Sequence, residues 1–215
     1  MESLITLNRT MTNFQKSYIF SKRILDIFLS AVILAVTSPL FLLISLAIFI
    51  GSGWPIFFLQ ERVGWDRKVF NIIKFRTMRI TSNAKGLLIS SNNDSRVTGI
   101  GKFLRKYKLD ELPQFINVLK GEMSIVGPRP EVKKYADSFF VDYDQILTVK
   151  PGITDYASIL YRNEAKLLDA VFDKEKYYLE KILPIKIQLN KKYIDEASLI
   201  TDLKIIFITI LAIFK

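Results

Sequence analysis

From Ile27 to Gln60 the chain carries no charged residue. As one straight helix those 34 residues would reach roughly 51 Å, against a hydrocarbon core of about 30 Å. Ser38-Pro39 sits in the middle of the densest part, Ile27 to Ile50. A proline there removes a backbone hydrogen bond and kinks or breaks the helix, and Ser38 can satisfy a freed backbone group. Each arm is then too short to span. Lys16, Lys22 and Arg23 precede the run, and Arg62, Arg67 and Lys68 follow it. Basic residues on both sides suit two cytoplasmic ends. The pattern therefore predicts a re-entrant helix, residues 21–52, broken at Ser38-Pro39. An ordinary kinked span is the alternative, and features of this kind more often make one. A cleaved signal peptide fits poorly, because the run is too long and no small-residue cleavage site follows it.

Downstream the pattern changes period. Ile56 to Gly64 reads as a strand, Gly64 to Arg67 as a turn and Val69 to Met78 as the returning strand. Thr81 to Thr98, rich in Ser, Asn and Gly, reads as a mobile loop, more often a connector than a lid. A helical pattern begins at Gly101 to Tyr107. Pro113 starts a second helix running to Lys120, which Gly121 is placed to end. Gly127 to Pro130 and Lys150-Pro151-Gly152 are rigid turns. Phe172 to Lys192 is helical in propensity, with an interruption at Pro184. Ile205 to Phe214 is apolar but too short to span, so it docks on the domain or lies in the interface. The fold class expected is α/β, mainly helical, with a short β-hairpin and amphipathic interface helices. The expected segments are 1–20, the membrane helix 21–52, and a catalytic domain 53–215.

Composition narrows the chemistry. There is no Cys and no His, which excludes thiol catalysis, disulfides and thiolate or imidazole metal sites. Catalysis must rest on carboxylates, Lys, Tyr, hydroxyls or a hard metal ion. The net charge of +10 calls for an anionic partner: nucleic acid, anionic lipid or a polyphosphate. No nucleic-acid motif is recognisable, and the basic residues lie near carboxylates rather than in long runs.

Three stretches could carry chemistry. Lys74 and Arg76, two apart on a strand, would share a face and could grip a diphosphate, although for such a pair alone a solvated strand face is the commoner explanation. Asp110 and Glu111 follow the basic run that includes Arg105 and stand at the start of a helix. Asp110 could simply cap that helix. The functional alternative gives the pair a Mg²⁺ ion and makes one carboxylate a nucleophile on phosphorus. Arg129, fixed between Pro128 and Pro130, suits bidentate phosphate contacts, or is an ordinary loop residue.

Together these stretches resemble the bacterial sugar transferases, the monotopic polyprenol-phosphate phosphoglycosyl transferases. The matching stretches come in family order. They are Lys22-Arg23-Ile24-Leu25-Asp26, Ser38-Pro39, Gln60-Glu61-Arg62-Val63-Gly64, Lys74-Phe75-Arg76-Thr77-Met78 and Leu109-Asp110-Glu111-Leu112-Pro113-Gln114. Asn117 to Ser124, Val126 to Pro130 and Lys150-Pro151-Gly152-Ile153-Thr154 follow. The resemblance implies the minimal form of the family, a re-entrant anchor, and an active site on the cytoplasmic face of the bacterial inner membrane. It implies that Asp110 attacks the sugar-linked phosphate of a UDP-sugar, releasing UMP, and that undecaprenyl phosphate then takes the phosphosugar. Glu111 would hold Mg²⁺ with Asp110, and Lys74, Arg76, Arg105 and Arg129 would contact phosphates. Arg162 matches a later basic position. Asp155-Tyr156-Ala157-Ser158 departs from the Gly and Trp many members carry, which bears on sugar choice. The partners implied are the donor, the lipid acceptor, the bilayer and downstream glycosyltransferases; a homo-oligomer is left open and no nucleic acid is expected. A non-catalytic membrane scaffold and a basic nucleic-acid-binding adaptor are the competing readings.

Overall fold

A computed structural model describes residues 13–79 and 94–213. The N-terminal residues 1–12 and most of the loop expected at 81–98 lie outside the described residues. Helix α1 (Asn13–Ser52) contains Pro39 and runs through it without interruption. The expected break at Ser38-Pro39 is thus absent as a break in the helix. The reason is local. Pro39 cannot donate to the carbonyl of Ala35, and the Ser38 hydroxyl donates to that oxygen instead, at 2.8 Å. One residue earlier the Thr37 hydroxyl donates to the Ile33 carbonyl at 2.7 Å, a side-chain bond added within the helix. The helix starts before the expected residue 21 and ends at Ser52.

By length and composition α1 could cross a membrane, and little of it is buried. Its contacts are divided. Near its start, Asp26 accepts hydrogen bonds from Ser124 Oγ (2.8 Å) and the Ile125 amide (3.0 Å). Near its end, Ile44 and Ile48 are buried against Ile56, Phe75 and Leu104. Between them, residues 31–40 contain no buried position, and Val36 is 73 % exposed. Asp26 itself is buried, so losing it strands two donors. We expect Asp26→Ala to cost about 2–3 kcal/mol, from two bonds to a charged acceptor. A thermal melt of the variant in detergent checks this, and an unchanged midpoint would show that the tie is dispensable.

Strands β1 (Phe57–Val63) and β2 (Val69–Phe75) form the expected antiparallel hairpin, with Phe57 opposite Phe75. Asp66 and Arg67 take left-handed conformations in its turn. β2 ends at Phe75, three residues before the bound expected, and Met78 makes only an isolated bridge to Val97. Helix α2 (Gly99–Lys106) is capped by Thr98. Gly101 lies against the exit from β2, where a Cβ would stand 2.2 Å from the carbonyl oxygen of Thr77. A 3₁₀ turn (Leu109–Glu111) leads to α3 (Gln114–Lys120), which ends at Gly121 in the left-handed region.

β3 (Ser124–Val126) pairs in parallel with β4 (Gly152–Thr154). Helices α4 (Lys133–Ser138) and α5 (Phe140–Ile146) connect them. α6 (Tyr156–Leu160), α7 (Glu164–Asp169), α8 (Lys174–Tyr177), α9 (Leu183–Asp195) and α10 (Leu199–Ile213) follow. Pro184 does not interrupt the helical course as expected. A π-helical turn (Tyr178–Ile182) joins α8 to α9, and the wider turn leaves room for a proline at the start of α9. α10 starts before the expected Ile205. Asp202 and Ile205 dock inward while Ile200, Leu203 and Phe207 stay exposed, so it both docks and presents an apolar face.

Candidate active site

The dyad sits in the 3₁₀ turn, before α3 rather than on it. Lys108, at φ +57°, reverses the chain just ahead of it. A left-handed lysine costs about 1–2 kcal/mol. Leu109 and Leu112 pack on the cluster formed by Ile44, Ile48 and Phe75, which seats the turn against the base of α1. Asp110 is not the helix cap, a position that Pro113 occupies.

The two carboxylates have opposite surroundings. Glu111 receives Arg129 Nη2 (2.5 Å) and Lys74 Nζ (3.2 Å) on Oε1, and Arg129 Nη1 (3.1 Å) on Oε2. Burial opposes its charge, but Arg129 and Lys74 outweigh burial and hold Glu111 well below the usual carboxylate range. Asp110 is also buried, and among the described residues its Oδ1 has no hydrogen-bond partner. Burial and then the Glu111 charge push its pKa up, with Lys74, Lys108 and Arg105 only partly opposing. The result is one carboxylate clamped as an anion beside one left open.

The sequence candidates divide accordingly. Lys74 and Arg129 meet on Glu111. Arg105 is brought near: its Nε donates to Thr77 Oγ1 at 2.9 Å, and the charge of Asp110 acts on it. Arg76 is not brought to the dyad. β2 stops at Phe75, strand alternation no longer applies, and Arg76 Nη2 donates to the carbonyls of Ser52 (2.7 Å) and Gly53 (2.6 Å). It closes the C-terminal end of α1, where a cation is favoured. Pro128 and Pro130 flank Arg129 and line a small cavity with Tyr143 and Leu147. Arg162 stands half-buried in the turn between α6 and α7, two residues before Glu164, whose charge acts on Arg129.

Several supporting residues escape a sequence reading. Asp155, buried, accepts the Arg129 amide (3.1 Å) and the Ser158 amide (2.6 Å), so it holds the Arg129 turn while capping α6. Arg62 donates to the Pro130 carbonyl and to Glu131, both at 3.2 Å. Tyr178 donates to the other oxygen of Glu131 at 2.5 Å. The only advance signal for Asp155 was its departure from the family pattern. Arg62 was visible as a basic residue after the apolar run and as part of a matching stretch, not as a prop for the Arg129 turn.

An apolar helix exposed along its middle, rooted in a domain whose buried carboxylate dyad is ringed by cations, suits a membrane-associated protein. A family model described as bacterial sugar transferase matches residues 17–215, and the chain belongs to that family. It is 40% identical over 193 residues to the UDP-glucose:undecaprenyl-phosphate glucose-1-phosphate transferase of Escherichia coli (strain K12), covering 88% of this chain and 39% of that protein. It is 39% identical over 198 residues to the UDP-N-acetylgalactosamine-undecaprenyl-phosphate N-acetylgalactosaminephosphotransferase of Aeromonas hydrophila, covering 90% of this chain and 43% of the relative. The sugar transferase EpsL of Bacillus subtilis (strain 168) is 36% identical over 189 residues, covering 88% of this chain and 85% of EpsL. The chain thus spans about two fifths of the first two relatives and most of the third.

Proposed function

We propose that this chain is a phosphoglycosyl transferase that moves a phosphosugar from a UDP-sugar to undecaprenyl phosphate. The observation that carries the reading is the asymmetry of the dyad. Asp110 offers a buried oxygen with no partner among the described residues, while Glu111 is held by Arg129 and Lys74. In the first step an Asp110 oxygen attacks the sugar-linked phosphorus. The bond from that phosphorus to the bridging oxygen breaks, and UMP leaves with the electron pair. In the second step an oxygen of the lipid phosphate attacks the same phosphorus, the acyl-phosphate bond breaks, and the Asp110 carboxylate is restored. Glu111 keeps Arg129 and Lys74 in place. Arg129, whose side chain remains 32% exposed, can also meet an incoming phosphate.

Mg²⁺ belongs to this reading. Among the described residues no group of three or more metal-ligating side chains occurs. The donor set suits an ion held by one carboxylate and substrate phosphates. Asp110 would hold it, because Glu111 already has both oxygens engaged. When bound, the ion offsets the repulsion between a carboxylate and a diphosphate.

In this reading the anchor is re-entrant through a bend at Pro39 that leaves the helix unbroken, with both ends of α1 at the cytoplasmic face of the inner membrane. Contacts at Asp26 and at Ile48 with one compact body, on either side of an unburied middle, support it. The site then lies at headgroup height, where a polar donor and a lipid acceptor meet. Downstream glycosyltransferases would use the product.

The test is UMP release from a panel of UDP-sugars with purified protein, Mg²⁺ and undecaprenyl phosphate. Release with one sugar is expected. Because Asp110 must be ionised and its pKa is raised, the rate should fall on acidification at a pH above the ordinary aspartate value of about 3.9. No release from any sugar, together with failure to trap a phosphosugar on Asp110, would favour the scaffold reading.

A further inference from the structure

We propose that Arg23 and Lys150, converging at Gly121, form a binding site for the phosphate of a membrane lipid, apart from the dyad. The two places lie at opposite ends of α3: the dyad precedes its first turn, and Gly121 follows its last. Gly121 has φ +84°, and a Cβ added there would meet Arg23 Nη2 at 3.4 Å and Lys150 Nζ at 3.6 Å. Two cationic nitrogens therefore point at one place from different elements.

Arg23 is fixed. Its Nη1 donates to the Val118 carbonyl (2.6 Å) and its Nη2 to the Leu119 carbonyl (3.0 Å). Those bonds cap the α3 terminus and account for Arg23 alone. Lys150 is unaccounted for: among the described residues no hydrogen bond or ion pair holds its Nζ. It is half-buried, and burial and Arg23 both depress its pKa. Asp26 is the carboxylate whose charge reaches it, but both Asp26 oxygens are occupied by Ser124 and Ile125. A half-buried lysine set beside an arginine, without a carboxylate of its own, calls for an anion from outside. A phosphate, with several acceptor oxygens, can take both cations.

The surroundings select a lipid. Arg23 stands four residues before the charge-free run that begins at Ile27. On Arg23's own side of α1, three residues before it and four after it, Phe20 and Ile27 are exposed at 68% and 42%. A phosphate on Arg23 and Lys150 would leave its acyl chains beside this apolar surface. Lys150 opens the turn Lys150-Pro151-Gly152, whose glycine packs on Gly127 while the lysine side chain reaches the far end of α3.

The experiment titrates the full chain in uncharged detergent with a short-chain phosphatidylglycerol, with the matching diacylglycerol, and with inorganic phosphate. Binding is read as a thermal shift, which a ligand specific for the folded state must produce. Phosphatidylglycerol should bind and diacylglycerol should not. Lys150→Gln should weaken phosphatidylglycerol about five- to tenfold, the worth of one lysine at an anionic surface. Lys150→Glu should weaken it further, and Lys150→Arg should restore it. Should Lys150→Glu fail to fold, Lys150→Gln carries the comparison. Equal binding by wild type and both charge-removing variants would overturn the site. Inorganic phosphate binding as tightly as the lipid would overturn the lipid assignment. The same titration on Asp110→Asn should match wild type, so the site stands or falls independently of the transfer reaction.

Discussion

Asp110→Asn should reduce UMP release by about 10³-fold or more while leaving the protein at least as stable as the wild type. The first half follows from chemistry: an amide cannot open the acyl-phosphate route, so the covalent step is lost. The second half follows from the burial of the dyad. The folded state raises the Asp110 pKa, through burial and the neighbouring Glu111 charge. Its ionised form is therefore disfavoured on folding, and the wild type carries that cost wherever Asp110 is ionised. The cost disappears as the pH falls below the unfolded value of about 3.9. A neutral amide does not carry it. The stability gain of the variant should accordingly be seen at neutral pH and shrink on acidification. Thermal melts at several pH values, beside the release assay, test both halves. Substantial release would sink the nucleophile assignment. A large loss of stability at neutral pH would mean that Asp110 is chiefly structural.

The cost of that buried charge explains which parts of the site were legible in the sequence. Adjacent carboxylates after a basic run, and an arginine between two prolines, are local patterns. The Lys74 and Arg129 contacts with Glu111 then follow once the hairpin and the Gly127–Pro130 turn are formed. Arg76 misled because period-two alternation holds only while the strand lasts, and here it ends one residue earlier. At Pro39 the helix runs on, because the Ser38 hydroxyl takes the carbonyl that the proline leaves free in the same turn. Asp26 and Asp155 were invisible as anchors. Asp26 meets Ser124 and Ile125, about a hundred positions along the chain, and Asp155 meets Arg129 across a parallel pairing. No spacing rule reaches so far. The close approach of Gly127 and Gly152, where a Cβ would lie 2.1 Å from the backbone nitrogen of Gly127, brings Asp155 beneath Arg129.

Arg129→Ala should lose both activity and stability, in contrast to the Asp110 variant. The guanidinium makes two of the three hydrogen bonds to the Glu111 carboxylate, and the Glu111 side chain is 11% exposed. Removing one partner of a buried pair costs about 3–5 kcal/mol, because a charge is left in a poor environment. Lys74 remains, and Arg129 is partly solvated, so the low end, about 3 kcal/mol, is expected. For a chain of this length that is a fall in Tm of about 6–12 °C. Arg129→Lys keeps the charge but not the two-pronged geometry and should recover only part of either loss. The acid dependence changes as well. The folded state holds Glu111 below its ordinary range, so the pairing stabilises above the unfolded value of about 4.3, a contribution lost as the pH falls through the lower folded value. Without Arg129 that contribution shrinks, and the gap between variant and wild type should narrow on acidification. Glu111→Gln in the Arg129→Ala background supplies the decisive comparison. Removing the stranded charge should return much of the lost stability while activity stays absent. A double variant no more stable than Arg129→Ala alone would show that Arg129 holds the domain together by some contact other than Glu111.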